Sequence, residues 1–314
     1  MSLEAIYPAD RVTLREVGLR DGLQLAKAFP SPEAKHAWLK AEAAAGVRHY
    51  EVGSFLPAAR FPQFADIAQM IAASEELNLH SAGLTLNERG AEAALATAIR
   101  EMVCVVSATE EHSEANMRRP RAAAVELVGK VAALRNAEAP EKLVNAGIAM
   151  AFGCSLSGDV DPAQVLHLAE SCLEAGADVV GLADTVGYAG PKAVGALCAQ
   201  MEKLCGNRPF IIHLHDTRGM GIANAAAALD NGARVVDASL GGLGGCPFAP
   251  GATGNVVFED VVFLAESMGF STGIDLEALK AARAIAEEAM PGEEFYGALH
   301  RAGPPQNATW QARA

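Results

Sequence analysis

Short apolar runs rich in β-branched residues alternate with Ala-rich, helix-periodic stretches along the whole chain. Apolar runs of this length favour buried parallel strands, and a helical stretch between two runs suits a crossover connection. Glycines shortly before several runs, as in 45–47, 175–177 and 231–233, suit left-handed helix C-caps. The predicted strands are 12–17, 48–53, 80–84, 101–106, 144–152, 178–183, 210–215 and 234–239. The predicted helical stretches are 32–45, 58–76, 89–98, 113–135, 162–175, 191–205, 221–232 and 256–268.

Eight strand–helix repeats predict an α/β fold closed into a (β/α)8 TIM barrel. The alternative is an open doubly wound sheet, which usually carries a G-x-G-x-x-G turn after its first strand. Residues 17–22 read VGLRDG and do not fit that motif. We expect one barrel domain over 1–290, followed by a Gly-, Pro- and Ala-rich C-terminal tail over 291–314 that is partly ordered.

Composition narrows the possible partners. A chain of 314 residues, 51% hydrophobic, can bury one large core, and a net charge of −13 argues against binding to nucleic-acid phosphates. Residues 1–11 lack the apolar segment of a signal peptide, and no apolar stretch reaches the ~18 residues of a membrane span. We therefore expect a cytoplasmic protein. Six cysteines without CxxC pairs, at 104, 154, 172, 198, 205 and 246, indicate reduced thiols rather than a disulfide framework.

Polar residues cluster where the predicted strands end. A TIM barrel builds its active site from the loops at the C-terminal ends of its strands, so side chains placed there should converge on one rim. Acids, an arginine, two histidines, amides and a thiol all occupy such positions, which predicts an enzyme. They are Arg20, Asp21 and Gln24 after strand 1, then Glu51, Asn87, Ser107, Asp184, His213, His215, Cys246 and Asn255.

His213 and His215 form the sharpest local signal. Residues i and i+2 of a strand face the same side, so both imidazoles can donate to one metal ion, although one of them could instead be a core residue. Asp21 is the natural carboxylate partner unless it only forms a turn, and Asn255 could be a further ligand or a helix N-cap. Such a mixed nitrogen–oxygen set suits Mg²⁺ or Mn²⁺, with Zn²⁺ or Co²⁺ as alternatives.

Residues 241–254 hold six glycines around Cys246. Glycine removes side-chain restraints from a backbone, so this segment predicts a mobile lid that closes over the substrate with Cys246 as its working group. The alternative is a tight connection in which Cys246 is packed and inert.

These segments resemble the 3-hydroxy-3-methylglutaryl-CoA (HMG-CoA) lyase family. The likeness rests on EVGLRDGLQ at 16–24, GLADTVG at 181–187, HLHDTRG at 213–219 and VDASLGGLGGCPFAPGATGN at 236–255. It runs in consistent order over about residues 11–275, and the Cys-containing glycine segment is its most specific part. Related metallo-lyases and Claisen-type synthases share the Asp-Thr pieces more widely.

The resemblance implies a metal-dependent lyase that cleaves HMG-CoA to acetyl-CoA and acetoacetate, as in leucine degradation, and that forms a homodimer or higher homo-oligomer. It implies that Arg20 polarises the thioester carbonyl and that Cys246 or a metal-bound histidine protonates the product carbon. Glu51 and Asp184 would support the site, and Arg20, Gln24, Asn87 and Ser107 would contact the acyl-CoA. The metal ligands would be Asp21, His213, His215 and Asn255.

Three loops depart from the family pattern. Residues 25–27 read LAK where Asn-Glu is expected, 153–158 read GCSLSG rather than beginning GCPY, and the segment after Ser107 lacks a lysine pair. These loops shape the substrate pocket, so a lyase for a related acyl-CoA such as citramalyl-CoA remains an alternative. A Claisen synthase of the isopropylmalate or citramalate type and a non-catalytic acyl-CoA-binding barrel are further alternatives.

Overall fold

Each of the eight predicted strands forms in the computed structural model, which describes residues 2–245 and 254–305. The strands pair in parallel in sequence order, and β8 closes on β1, so the predicted (β/α)8 barrel is confirmed. Their C-terminal ends define one rim. The strands are β1 (Thr13–Glu16), β2 (His49–Ser54), β3 (His80–Leu84), β4 (Glu101–Ser107), β5 (Leu143–Ala149), β6 (Val179–Asp184), β7 (Phe210–Leu214) and β8 (Val235–Ala238).

Helices of eight residues or more surround the barrel. Two of them begin where the sequence supplies a capping side chain followed by proline, at Ser31–Pro32 and Asp161–Pro162. They are α1 (Pro32–Ala44), α2 (Ile67–Glu76), α3 (Glu88–Leu95), α4 (Arg121–Glu138), α5 (Pro162–Glu174), α6 (Pro191–Cys205), α7 (Gly221–Asp230), α8 (Phe258–Ser267) and α9 (Leu276–Ala289).

Two of the predicted helical stretches are shorter in the structure because proline interrupts them. The stretch 58–76 contains a 3₁₀ turn over Pro62–Phe64 before α2 begins. The stretch 113–135 begins with a separate turn over Ser113–Met117, and α4 starts only after Pro120, which lacks an N–H and restricts the residue before it.

Helix α9 was not predicted; it packs against α1, and its residues Leu279, Ala282 and Ala286 are buried. The structure describes the C-terminal segment that follows as far as residue 305. The backbone N–H of Tyr296 donates to the carbonyl of Gly241 at 2.6 Å, so this segment lies against the start of the glycine-rich stretch.

The interior of the barrel contains a group of buried charged side chains, which is unusual because the interiors of TIM barrels are mostly filled by Val, Ile and Leu. Arg15, Glu101 and Asp237 are all buried there, and Arg15 lies 3.1 Å from Glu101 and 3.3 Å from Asp237. At the opposite end from the rim, the N-terminal segment covers the barrel, and the Tyr7 hydroxyl donates to Glu101 at 2.5 Å.

Five of the six cysteines lie in the described part of the chain, and all five are free and buried, as predicted. Among residues 2–245 and 254–305, none of the helices is both long enough and apolar enough to cross a membrane.

Candidate metal centre and active-site rim

His213, His215 and Asp21 converge at the C-terminal end of the barrel, as the sequence predicts. The Nε2 atoms of His213 and His215 lie 3.1 Å apart. Oδ2 of Asp21 lies 3.9 Å from Nε2 of His213 and 3.6 Å from Nε2 of His215. His213 is the last-but-one residue of β7, and Asp21 lies in the helical turn Gly18–Gly22 that follows β1. Strand periodicity therefore turns both imidazoles toward one carboxylate.

This geometry fits a divalent cation. Two ligand atoms held about 2.2 Å from one ion at a right angle lie about 3.1 Å apart, the separation of the two imidazole nitrogens. Asp21 has a pKa well below its usual range: burial raises it, but Arg20 and the two histidines lower it further. For His213, burial lowers the pKa, but Asp237 and Asp21 raise it above its ordinary value.

Asn255 is buried beside this cluster. Residue 255 pairs with His215 in an isolated bridge, so the chain returns to the end of β7 after the glycine-rich stretch. Its Nδ2 donates to Asp21 Oδ2 at 2.8 Å and to the carbonyl of Leu243 at 2.9 Å, and its Oδ1 has no hydrogen-bond partner among the described residues. Helix α8 is capped by Val257, so Asn255 is not the N-cap. Its role as a metal ligand stays a prediction.

Arg20 lies between two carboxylates. Its Nη1 lies 2.5 Å from Asp21 Oδ1 and its Nη2 lies 2.6 Å from Glu51 Oε2, while Nη1 also donates to Gln24 Oε1 at 3.2 Å. Burial lowers the pKa of Arg20, but Glu51 and Asp21 raise it, so the guanidinium stays charged. The guanidinium is thereby fixed in orientation beside the cluster of Asp21, His213 and His215.

Asp237 was not among the predicted site residues, and it joins the site to the barrel interior. Its Oδ2 lies 3.1 Å from Nδ1 of His213, and Arg15 lies on its other side. A charged residue at an inward-facing position of a central strand is the sequence signal that could have identified both Arg15 and Asp237.

The other predicted rim residues have separate contacts. Asp184 is buried and accepts hydrogen bonds from the N–H groups of Tyr188 and Ala189, so it holds the loop after β6. Ser107 is buried, and its Oγ lies 2.9 Å from Nδ1 of His112. His112 was not among the predicted site residues, and burial lowers its pKa to about 4. Asn87 caps α3 by accepting from the Gly90 N–H at 2.8 Å.

The predicted lid is only partly described. At its start, Gly244 has a φ of +109°, and a Cβ there would lie 2.6 Å from Asn255 Nδ2 and 3.0 Å from the Asp21 carbonyl. Glycine at 244 therefore allows the backbone to pass directly over the site. Cys246, with residues 247–253, lies outside the described residues.

The closed barrel and the cluster of Asp21, His213 and His215 at the C-terminal ends of its strands place this chain in the class of metal-dependent TIM-barrel enzymes. Comparison with known proteins specifies the family. The HMGL-like family model matches residues 11–285, so the chain belongs to the HMGL-like family.

Individual relatives agree with this assignment. The chain is 34% identical to a hydroxymethylglutaryl-CoA lyase of Bacillus subtilis over 90% of its length and 94% of that protein. It is 37% identical to an (R)-citramalyl-CoA lyase of Chloroflexus aurantiacus over 87% of its length and 89% of that protein. Among solved structures, an HMG-CoA lyase from Acinetobacter baumannii in complex with coenzyme A and 3-methylmalate superposes with a TM-score of 0.88 at 32% identity, covering 96% of this chain and 98% of that one.

Proposed function

We propose that this protein is a divalent-metal-dependent lyase that breaks a carbon–carbon bond of a branched 3-hydroxyacyl-CoA, with HMG-CoA as the first candidate substrate. The observation that carries the proposal is the convergence of Asp21, His213 and His215 next to a fixed arginine on the barrel rim. The names of the relatives support the same reaction class.

The reaction balances without a redox partner. The 3-hydroxyl loses its proton to a base, the C2–C3 bond breaks, and the hydroxyl-bearing carbon becomes a ketone. The electron pair of the broken bond forms the enolate of the thioester, which takes a proton at carbon to give acetyl-CoA. For HMG-CoA the ketone product is acetoacetate.

Residues of this chain supply two of the requirements. Arg20 offers fixed N–H donors to the negative oxygen of the enolate, and its carboxylate partners Glu51 and Asp21 keep the guanidinium in place. Asp21, His213 and His215 would hold Mg²⁺ or Mn²⁺, with Asn255 proposed as a further ligand. When bound there, such an ion would supply Lewis-acid polarisation of the substrate oxygens. Cys246 remains the proposed acid that protonates carbon.

The surface of the rim supports an acyl-CoA substrate. In the described part of the chain, all five large exposed apolar side chains follow the C-terminal ends of strands β1, β5, β6 or β7, which is the end of the barrel that carries Asp21, His213 and His215. They can contact the apolar parts of an acyl-CoA. These side chains are Leu25, Phe29, Leu156, Tyr188 and Met220.

Citramalyl-CoA is the second candidate substrate. The identity to the Chloroflexus aurantiacus enzyme, 37%, is slightly higher than the 34% and 32% identities to the HMG-CoA lyases named above. The loops at 25–27 and 153–158, which depart from the HMG-CoA lyase pattern, lie on the same rim.

A product assay tests both candidates. The purified protein is incubated with Mg²⁺ or Mn²⁺ and each of a panel of 3-hydroxyacyl-CoA esters, and acetyl-CoA is measured together with the second product. Acetoacetate from HMG-CoA supports the first candidate, and pyruvate from citramalyl-CoA supports the second. Metal binding without turnover of any ester would contradict the proposal and favour a non-catalytic barrel.

The cytoplasmic location, the homo-oligomeric state and the domain limits at residue 290 stay predictions.

A further inference from the structure

Three polar side chains from adjacent strands lie in one row inside the barrel. In the strand register, residue 237 of β8 pairs with His213 of β7 on one side and with Arg15 of β1 on the other. Asp237 Oδ2 lies 3.1 Å from His213 Nδ1, and Asp237 Oδ1 lies 3.3 Å from Arg15 Nε. Each oxygen of the carboxylate thus faces a different neighbour.

The row is anchored away from the metal centre. Arg15 is 2% exposed, and its Nη1 lies 3.1 Å from Glu101, which also contacts His80 and accepts from Asn145. Asp237 is therefore held on the side away from His213 by a buried arginine that is itself held by a second carboxylate. A carboxylate fixed in this way can impose an orientation on the ring that it touches.

The contact also determines which ring nitrogen carries the proton. A carboxylate only accepts hydrogen bonds, so the bond to Asp237 requires a proton on His213 Nδ1, and in the neutral ring, which is the form that binds a metal ion, it leaves a lone pair on Nε2. That Nε2 is the atom facing His215 and Asp21. His215 has no comparable support, since its Nδ1 has no hydrogen-bond partner among the described residues.

We propose that Asp237 is a positioning residue: held by Arg15, it fixes the ring and tautomer of His213 so that Nε2 faces the metal ion. The inference deepens the proposed function and rests on its metal centre. The opposing interpretation is that Asp237 only balances the charge of Arg15 and contributes to stability. Glu101 separates the two interpretations because it also contacts Arg15 but has no contact with His213.

The experiment compares the full-length wild type with Asp237→Asn and Glu101→Gln. The dissociation constant for Mn²⁺ is measured by titration calorimetry and by the electron paramagnetic resonance of free Mn²⁺. Asp237→Asn should weaken Mn²⁺ binding by about 10- to 100-fold, the range expected for loss of a ligand-orienting partner, whereas Glu101→Gln should stay near wild type. Wild-type affinity in Asp237→Asn, or an equal loss in Glu101→Gln, would overturn the inference.

A second readout needs no metal. In ¹⁵N-histidine spectra of the metal-free protein, recorded at an alkaline pH where the ring is neutral, His213 should carry its proton on Nδ1 in the wild type and in Glu101→Gln, and should lose this preference in Asp237→Asn. Should Asp237→Asn unfold because Arg15 loses one of its two carboxylate partners, the double variant Arg15→Met/Asp237→Asn removes both charges. It should restore folding but not Mn²⁺ affinity, and restored affinity would contradict the inference. A wild type that binds no Mn²⁺ would contradict the proposed metal centre, while the tautomer would still test Asp237.

Discussion

Nη2 of Arg20 lies 2.6 Å from Oε2 of the buried Glu51. The guanidinium reaches Asp21 through its other terminal nitrogen, so the two carboxylates hold both arms of one planar fork. This arrangement fixes the direction of the Arg20 donors before substrate binds, and fixed donors contribute most where charge develops in the transition state.

Arg20→Lys should therefore lower kcat far more than it raises KM. A point ammonium cannot contact both carboxylates in the same plane and still direct a donor at the enolate oxygen. A loss in kcat on the order of 10²-fold is expected, by analogy with other oxyanion donors. Steady-state kinetics with the identified substrate measures both constants. A nearly unchanged kcat with a raised KM would assign Arg20 to ground-state binding.

Removal of the metal should abolish activity, and the effect should depend on His215. EDTA treatment should inactivate the wild type, and Mn²⁺ or Mg²⁺ should restore activity and raise the melting temperature, because an ion that binds only the folded state stabilises it. His215→Ala should show neither response. His167→Ala is the matched control, since that side chain is 82% exposed on α5. An equal Mn²⁺-induced melting shift in His215→Ala would contradict the ligand assignment.

Much of this site follows from sequence periodicity. The alternation of strands and helices predicted the barrel, and the i, i+2 spacing placed His213 and His215 on one face. Asp237 lies at the same level of β8 as His213 of β7 and was still not predicted, because its role depends on which neighbours stand beside it in a closed barrel. Strand order and register are properties of the fold that a local pattern does not contain.

The predicted contact of Asn87 with the substrate stays a prediction. In the structure its amide caps α3, and short polar side chains at strand–helix junctions can serve either purpose. Helix α9 follows the last β/α repeat, so the alternation that predicted the other helices no longer applied to it. Its apolar positions 279, 282 and 286 do carry the helical spacing.

A buried acid outside the barrel should make stability depend on pH. Glu42 is fully buried in α1, close to Glu16 and Glu259, and burial raises its pKa to about 8. The unfolded value is near 4.3, so between about pH 4.3 and 8 the folded protein binds more protons than the unfolded chain. This contribution to the free energy of unfolding therefore falls as pH rises through that window.

Glu42→Gln should remove the effect. The variant should match the wild type near pH 5 and exceed its free energy of unfolding at pH 9 by on the order of 1–3 kcal/mol. Denaturant melts at both pH values measure the difference, and Glu92→Gln, an exposed substitution on α3, is the control. If the free energy of unfolding of the wild type, relative to Glu42→Gln, instead falls as pH is lowered, Glu42 is ionised in the folded state.

Cys246 should behave as an accessible catalytic thiol. Cys246→Ser should keep the fold and Mn²⁺ affinity while losing most of kcat, and iodoacetamide should inactivate the wild type unless a saturating substrate analogue is present. Cys172 should not contribute, because burial raises its pKa to about 12. Burial raises the pKa of Cys154 as well, but hydrogen bonds that include one from Thr109 lower it below its ordinary value, so Cys154→Ser is the necessary control. Wild-type turnover by Cys246→Ser would exclude a catalytic role.

Gly244→Ala should damage the metal centre without contacting the metal. At a φ of +109° an added Cβ would lie 2.6 Å from Asn255 Nδ2 and 3.0 Å from the backbone oxygen of Asp21, so at least one of these two residues has to move. Because Asn255 donates to Asp21, the displacement should reach the carboxylate that faces both histidines. The expected result is weaker Mn²⁺ binding and lower kcat.

Gly206→Ala is the matched control: Gly206 also has a positive φ, +60°, but no atom lies within 4 Å of its added Cβ. Both variants should lose about 1 kcal/mol of stability from backbone strain, and only Gly244→Ala should lose metal affinity. Equal Mn²⁺ affinity in the two variants would indicate that the backbone at 244 yields without moving Asn255 or Asp21, and that this close approach does not position the ligands.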